Sequence, residues 1–209
     1  MLRILIADDH TVVRKGLKQI LLEEFTNAVI DEVPDAEELI KKVMAEKWDV
    51  VVSDLSMPGR SGLDALQQIK ISFPELPVLI LSIHPEEQYA LRALKSGAAG
   101  YLSKDTAPDE LVKAVKKVLL GKKYISQSIA EKLADSFSSP AIKHPHETLS
   151  DREFDVMKLL ANGKSVSDIA EMLSLSVTTV STYRARVMAK MNLKSNSDLT
   201  KYAIEHKLI

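Results

Sequence analysis

Apolar runs of four to six residues alternate, over the first 120 or so positions, with stretches whose apolar residues recur at helical spacing. Leu2 to Ala7, Val50 to Ser53, Val78 to Leu81 and Gly100 to Ser103 read as strands. They are short, β-branched and nearly all apolar, as strands covered on both faces should be. Between and after them the spacing predicts helices near Thr11 to Glu24, Asp35 to Glu46, Gly62 to Phe73, Glu86 to Ser96 and Ala107 to Leu119. Strand-helix repeats of this kind, five in all, predict an α/β domain built on a doubly wound five-stranded parallel sheet.

The pattern changes after Gly121. Ser136 to Glu147 has the proline, serine and polar content of a linker. From Leu149 onward the period is purely helical. Ser150-Asp151-Arg152-Glu153 is a capping-box sequence that opens a helix ending near Asn162-Gly163. Helices follow near Ser167 to Leu173, Val177 to Met191 and Ser197 to His206. The expected organisation is an α/β domain over 1–121, a linker with a candidate helix over 122–147, and a small all-α domain over 148–209.

Composition narrows the chemistry. The chain has no cysteine, which excludes disulfides, thiolate metal sites and cysteine nucleophiles. No apolar stretch reaches the roughly 18 residues of a membrane span, and the opening Met1-Leu2-Arg3 lacks a signal-peptide layout, so a cytoplasmic protein is expected. The net charge of −1 hides an asymmetry. Residues 1–136 carry 18 Lys/Arg against 21 Asp/Glu, whereas 137–209 carry 10 against 8. From Ser176 onward six basic residues face only Asp198 and Glu205, a bias suited to phosphates and also to a solvated helix face.

Each apolar run ends on polar residues. Asp8 and Asp9 follow the first, Asp54 the second, Ser82 the third and Lys104 the last. In a parallel α/β sheet, sites form in the crevice at the carboxyl ends of the strands, so all are expected to point into one crevice. Three carboxylates, a hydroxyl and an ammonium there suit a divalent cation and a phosphoryl group. Taken singly, Asp9 would cap the helix at Thr11, Lys104 would be a solvated loop lysine, and Asp54 would belong to a turn. Their shared register favours the site. Asp31, Asp35, Asp49 and Asp64 lack that register and are read as surface or capping residues.

Ala7-Asp8-Asp9-His10, Ser53-Asp54-Leu55-Ser56-Met57-Pro58-Gly59, Leu81-Ser82 and Gly100-Tyr101-Leu102-Ser103-Lys104 resemble, in order and spacing, the receiver domain of two-component response regulators, a flavodoxin-like fold. The resemblance covers residues 1 to about 120. It implies that Asp54 accepts a phosphoryl group from a sensor histidine kinase, assisted by Lys104 and Ser82. It also implies a Mg²⁺ ion held by Asp9, Asp54 and the backbone carbonyl of Ser56, with Asp8 acting through water. Ser82 and Tyr101 would form a switch, Tyr101 rotating into space vacated by Ser82. Ser56 and His84 fall where the family tunes dephosphorylation. The chemistry agrees: a carboxylate is a weak nucleophile toward phosphorus and needs cations to offset charge and align the phosphoryl oxygens.

Residues Thr148 to Ile209 resemble the helix-turn-helix effector of NarL/FixJ, or LuxR-type, regulators. The resemblance rests on Leu149-Ser150-Asp151-Arg152-Glu153, Ala161-Asn162-Gly163-Lys164-Ser165, Asp168-Ile169-Ala170, Leu173-Ser174-Leu175-Ser176, Thr179-Val180 and Lys207-Leu208-Ile209. It implies that Val177 to Met191 is the recognition helix in the major groove of double-stranded DNA. Ser181, Thr182 and Ala185 would then face bases, with Arg184 close enough to join them. Thr179, Tyr183, Arg186, Lys190 and Lys194 would meet phosphates, and Val180, Val187 and Met191 the small core. The family often carries arginine where Asn196 stands.

Together these resemblances imply a transcription regulator whose phosphorylation at Asp54 controls homodimerisation and DNA binding, with no membrane partner and no multiple-turnover activity. One alternative is a constitutive DNA-binding protein using a receiver-like domain only for dimerisation. Another is a Mg²⁺-dependent phosphohydrolase with Asp54 as nucleophile. Ser56 counts against the latter, because it stands where such enzymes place a second carboxylate.

Overall fold

The computed structural model describes residues 1–127, 129–131 and 144–209. The chain divides into two compact units, Met1–Ser139 and Pro140–Ile209. The linker expected over 122–147, with its candidate helix, lies in part outside the described residues.

The first unit alternates strands and helices: β1 (Arg3–Ala7), α1 (Thr11–Glu24), β2 (Val29–Val33), α2 (Ala36–Ala45), β3 (Val50–Asp54), α3 (Gly62–Ser72), β4 (Val78–Ser82), α4 (Glu86–Lys95), β5 (Gly100–Ser103) and α5 (Ala107–Leu119). All pairings are parallel, in the order β2-β1-β3-β4-β5. The two-residue period of a strand sends alternate side chains to opposite faces. Ile4, Ile6, Val50, Val52, Leu79, Leu81 and Leu102 pack with Leu17 and Leu21 of α1 and with Leu111, Val115 and Val118 of α5. Leu5, Val51 and Ile80, one position out of step, are equally buried. Both faces of the three central strands are therefore covered, which explains their unbroken apolar runs.

β2 is different. Its sequence Val-Ile-Asp-Glu-Val carries Asp31 and Glu32 half-buried at the edge of the sheet. The charges are paired across to neighbouring helices, Asp31 with Lys42 and Glu32 with Lys18 at 3.0 Å. An edge strand tolerates such residues because one side of it reaches water.

The second unit is helical. A 3₁₀ turn (Pro145–Thr148) leads into α6 (Asp151–Ala161), α7 (Val166–Met172), α8 (Val177–Met191) and α9 (Asn196–Glu205). Each α-helix here starts on a serine whose hydroxyl accepts from a backbone N–H three residues on: Ser150, Ser165, Ser176 and Ser195. Such caps satisfy donors that the first turn leaves orphaned, each contributing about 1 kcal/mol. Asn192 closes α8 in the left-handed conformation at φ 53°, where asparagine is tolerated better than most side chains. Phe154, Met157, Leu160, Ile169, Val180, Val187, Met191, Leu199 and Ala203 form the buried interior. The expected inward positions Val180, Val187 and Met191 are among them.

Candidate phosphoryl site and nucleic-acid interface

The sheet order reverses direction between β1 and β3, the point at which open α/β sheets leave a crevice for ligands. Asp8 and Asp9 follow β1 there, and Asp54 is the last residue of β3. Ser82 ends β4, and Lys104 lies one residue past β5, its N–H donating to the Ser82 carbonyl at 2.8 Å. The five sequence-predicted positions thus come to the carboxyl end of the sheet.

The Lys104 ammonium lies between two buried carboxylates, 2.7 Å from Asp8 Oδ2 and 2.9 Å from Asp54 Oδ2. Asp8 and Asp54 are only 1% and 3% exposed. Burial pushes the Asp54 carboxyl up to about 6; Lys104 opposes the rise, and the negative charge of Asp8 adds to it. Burial works against the charged form of Lys104, but its hydrogen bonds to Asp54 and Asp8 prevail and raise it. One ammonium between two desolvated carboxylates leaves excess negative charge in a dry place. That excess is what a divalent cation offsets.

Asp8, Asp9, His10 and Asp54 each offer a ligand atom, all within 4.8 Å of one another. Asp9 Oδ1 is buried and accepts no well-formed hydrogen bond; His10 Nδ1 lies 2.8 Å away. Asp9 does not cap α1, whose N-cap is His10 without a side-chain bond, so its carboxylate remains available. Hard oxygen donors, one of them buried with no well-formed hydrogen bond, fit Mg²⁺. Asp9 and Asp54 would hold it, and its charge would make a phosphoryl group tolerable beside the carboxylates.

Close packing shapes the floor. A Cβ on Gly62 would sit 1.9 Å from the Asp54 backbone carbonyl oxygen, so the loop from β3 can fold back against the last peptide of the strand only with glycine there. Ser56 N–H donates to Asp54 Oδ1 at 3.3 Å. Ser56 Oγ also meets His84 Nε2 at 3.0 Å, and the His84 ring stacks on Tyr89 with centroids 4.7 Å apart. Two residues to which the resemblance gives one role are therefore in direct contact. The Ser82 hydroxyl accepts from His84 N–H at 3.0 Å, and the Tyr101 hydroxyl donates to the His84 carbonyl at 2.9 Å. Tyr101 is 2% exposed, and burial pushes its hydroxyl up to about 12. The Tyr101 side chain thus lies inward in this structure, with the Ser82 hydroxyl still beside it.

The other aspartates do what was expected of them. Asp35 caps α2, Asp64 completes the capping box of α3, Asp31 pairs with Lys42, and Asp49 accepts from the Arg3 N–H at 2.7 Å. The sequence reading passed over His10, whose contact with Asp9 requires the loop geometry after β1.

On α8, Ser181, Thr182, Ala185, Arg186 and Lys190 are exposed, Thr179, Tyr183 and Arg184 half-exposed. Lys194, in the turn beyond, is exposed as well. Four of these side chains have internal partners, Arg184 among them through Asn196. Thr179 Oγ1 lies 2.8 Å from the Ser176 cap, and the Thr182 hydroxyl donates to the Thr178 carbonyl at 3.0 Å. Lys190 Nζ lies 2.6 Å from Oε2 of Glu153, a carboxylate 2% exposed. Among the described residues no helix is long and apolar enough to cross a membrane.

A buried carboxylate crevice on a 2-1-3-4-5 parallel sheet, followed by a helix-turn-helix unit, defines a regulator with a receiver and an effector. Comparison with known proteins carries this further. A family profile described as the response regulator receiver domain matches residues 4–116, and one described as bacterial regulatory proteins, luxR family, matches residues 147–203. The chain is 37% identical over 209 residues to the response regulator UvrY of Shigella flexneri, covering all of this chain and 96% of that one. It is 38% identical over 215 residues to the oxygen regulatory protein NreC of Staphylococcus carnosus, covering all of this chain and 99% of that one. RcsB of Salmonella enterica serovar Typhimurium, solved bound to promoter rprA with the phosphomimetic BeF₃⁻, superimposes with a TM-score of 0.62. It is 27% identical, with 97% of this chain and 98% of that chain covered. The chain belongs to the NarL/FixJ family of response regulators, with a LuxR-type effector. It is a DNA-binding response regulator, and its family is a regulatory one.

Proposed function

We propose that a sensor histidine kinase phosphorylates Asp54 and that the phosphoryl group controls dimerisation, DNA binding and transcription. The observation that carries this is the Lys104 ammonium within 2.9 Å of two buried carboxylates, which supplies a fixed cation where phosphoryl oxygens would develop charge. An Asp54 carboxylate oxygen attacks phosphorus as the donor's P–N bond breaks, and the electron pair leaves on the donor imidazole. Lys104 turns from Asp54 to the transferred oxygens while Asp8 retains it. The Ser82 hydroxyl donates to the same group. Asp9, Asp54 and the Ser56 carbonyl, with Asp8 through water, would hold Mg²⁺, which would supply positive charge to offset that of the phosphoryl oxygens. Ser56 and His84 set how long the phosphoryl group lasts.

The proposed layout is a receiver over 1–121, a linker over 122–147 and an effector over 148–209, in a cytoplasmic protein that dimerises when phosphorylated. On α8, Ser181, Thr182, Arg184 and Ala185 face bases, while Thr179, Tyr183, Arg186 and Lys190, with Lys194 in the turn beyond, lie near phosphates. The alternative of a constitutive DNA-binding protein draws on one observation, the already inward Tyr101. The test is intact-mass analysis of the chain with Mg²⁺ and acetyl phosphate beside Asp54→Ala, with oligomeric state followed in parallel. A single phosphoryl adduct on the parent alone, with a larger dimer fraction, is expected. No adduct would overturn Asp54 as acceptor and leave the constitutive reading standing.

A further inference from the structure

Arg184, half-exposed on α8, donates from Nε to Asn196 Oδ1 at 3.0 Å. Asn196 is the first residue of α9, so this bond ties the middle of one helix to the start of the next. Local structure does not require it. The cap of α9 is supplied by Ser195, whose hydroxyl accepts from Asp198 N–H at 3.1 Å and donates to Asp198 Oδ2 at 2.8 Å. The exposed Asn196 amide is therefore spare as far as helix formation goes, and its acceptor is spent on orienting a cation.

Resting on the reading of α8 as the recognition helix, we propose that Asn196 is a positioning residue that fixes Arg184 to read a guanine in the major groove, and so sets part of the operator specificity. A guanidinium can pair with guanine O6 and N7 through its side edge, which includes Nε, or through its end edge, Nη1 with Nη2. With Nε occupied, only the end edge is left. Nη1 and Nη2 meet no partner among the described residues. Arginine has many rotamers, and holding one of them before binding removes an ordering cost worth about three- to tenfold in affinity. The chemistry of the acceptor matters too. A neutral amide orients Arg184 without cancelling its charge, whereas a carboxylate would compete with DNA and a second cation at 196 would offer no acceptor at all.

The test uses the full chain with Mg²⁺ and acetyl phosphate. Duplexes are selected from a randomised pool, and affinities for the winning duplex and its single-pair variants are measured across salt concentrations. Arg184→Ala should lower affinity and flatten the preference at one G·C pair. Asn196→Ala should flatten the preference at that same pair by about three- to tenfold, with the salt slope unchanged because no phosphate contact is lost. The double substitution should do no more than Arg184→Ala alone, and Asn196→Asp, which restores the acceptor, should keep the preference while weakening binding to every duplex. Additive effects, an unaltered preference in Asn196→Ala, or a loss uniform over all sequences would each overturn the positioning role while leaving α8 as the DNA-reading helix. If Arg184→Ala changes nothing, or no duplex is enriched, the base-reading role of Arg184 falls and the inference with it.

Discussion

Replacing Asp54 by asparagine should make the first unit more stable at neutral pH in the absence of divalent cations, and the gain should vanish near pH 4. Burial raises the Asp54 carboxyl from 3.8 to about 6, and the bonds from Lys104 and Ser56 only partly offset it. A carboxyl that titrates higher in the folded state binds its proton more tightly there. Its contribution to stability is therefore complete below its unfolded value and is lost as pH rises through about 6. Two pKa units correspond to about 3 kcal/mol, an upper limit on what the parent loses between acid and neutral pH. Asparagine carries no charge at either pH, but it is a weaker acceptor for Lys104, which takes back about 1 kcal/mol. A net gain of about 1–2 kcal/mol at neutral pH is expected. Trp48 is the only tryptophan in the chain and is buried in the first unit, so its fluorescence in urea reports on that unit alone. In EDTA the Asp54→Asn midpoint should exceed the parent's at neutral pH and converge with it in acid. Mg²⁺ should raise the parent above pH 6 and affect the variant less. Equal midpoints at neutral pH in EDTA, or an advantage that grows toward acid, would refute the argument.

Three further outcomes follow from particular contacts. Gly62→Ala drives a methyl into the Asp54 carbonyl, 1.9 Å from the ideal Cβ position; it should cost the first unit more than about 2 kcal/mol in the same urea assay. Lys190→Met strands the buried Glu153 carboxylate. Burial tends to raise that carboxyl, but bonds from Lys190 and Ser150 hold it below its ordinary value, so the pair's contribution is present at neutral pH and lost as acid protonates Glu153. The substitution should destabilise the second unit by about 1–3 kcal/mol at neutral pH and by less in acid, followed by far-ultraviolet circular dichroism. Ser56→Ala and His84→Ala break the same 3.0 Å bond. Their effects on phosphoryl lifetime should therefore be non-additive by more than the roughly 0.5 kcal/mol that marks independent sites; additive effects would mean the bond does not operate in the phosphorylated state.

What could be read from the sequence was decided by burial. Strands β1, β3, β4 and β5 are covered on both faces and announce themselves as apolar runs, and the polar residues that end them fall into register because parallel pairing fixes it. β2 has no such run, because Asp31 and Glu32 sit at the sheet edge with cations from α1 and α2. The helix-turn-helix unit was legible through its helical period and the capping box at Ser150, whereas the caps Ser165 and Ser195 lie two residues before the helix starts expected near Ser167 and Ser197. The unpredicted features are contacts between residues far apart in the chain. Ser56 with His84, Arg184 with Asn196 and Lys190 with Glu153 leave no periodic signal, since each depends on how two elements meet. Asp9 was ambiguous for a different reason: an aspartate just before a helix can cap it or bind a cation, and only the loop geometry after β1 distinguishes the two.

A phosphoryl group on Asp54 should govern DNA binding. The most direct measurement is the affinity of the full chain for its selected duplex, with and without acetyl phosphate in the presence of Mg²⁺, beside Asp54→Ala under identical conditions. The phosphodonor should tighten binding by the parent and leave Asp54→Ala unchanged at the weaker level. Parent and variant binding equally well, with or without the phosphodonor, would contradict it.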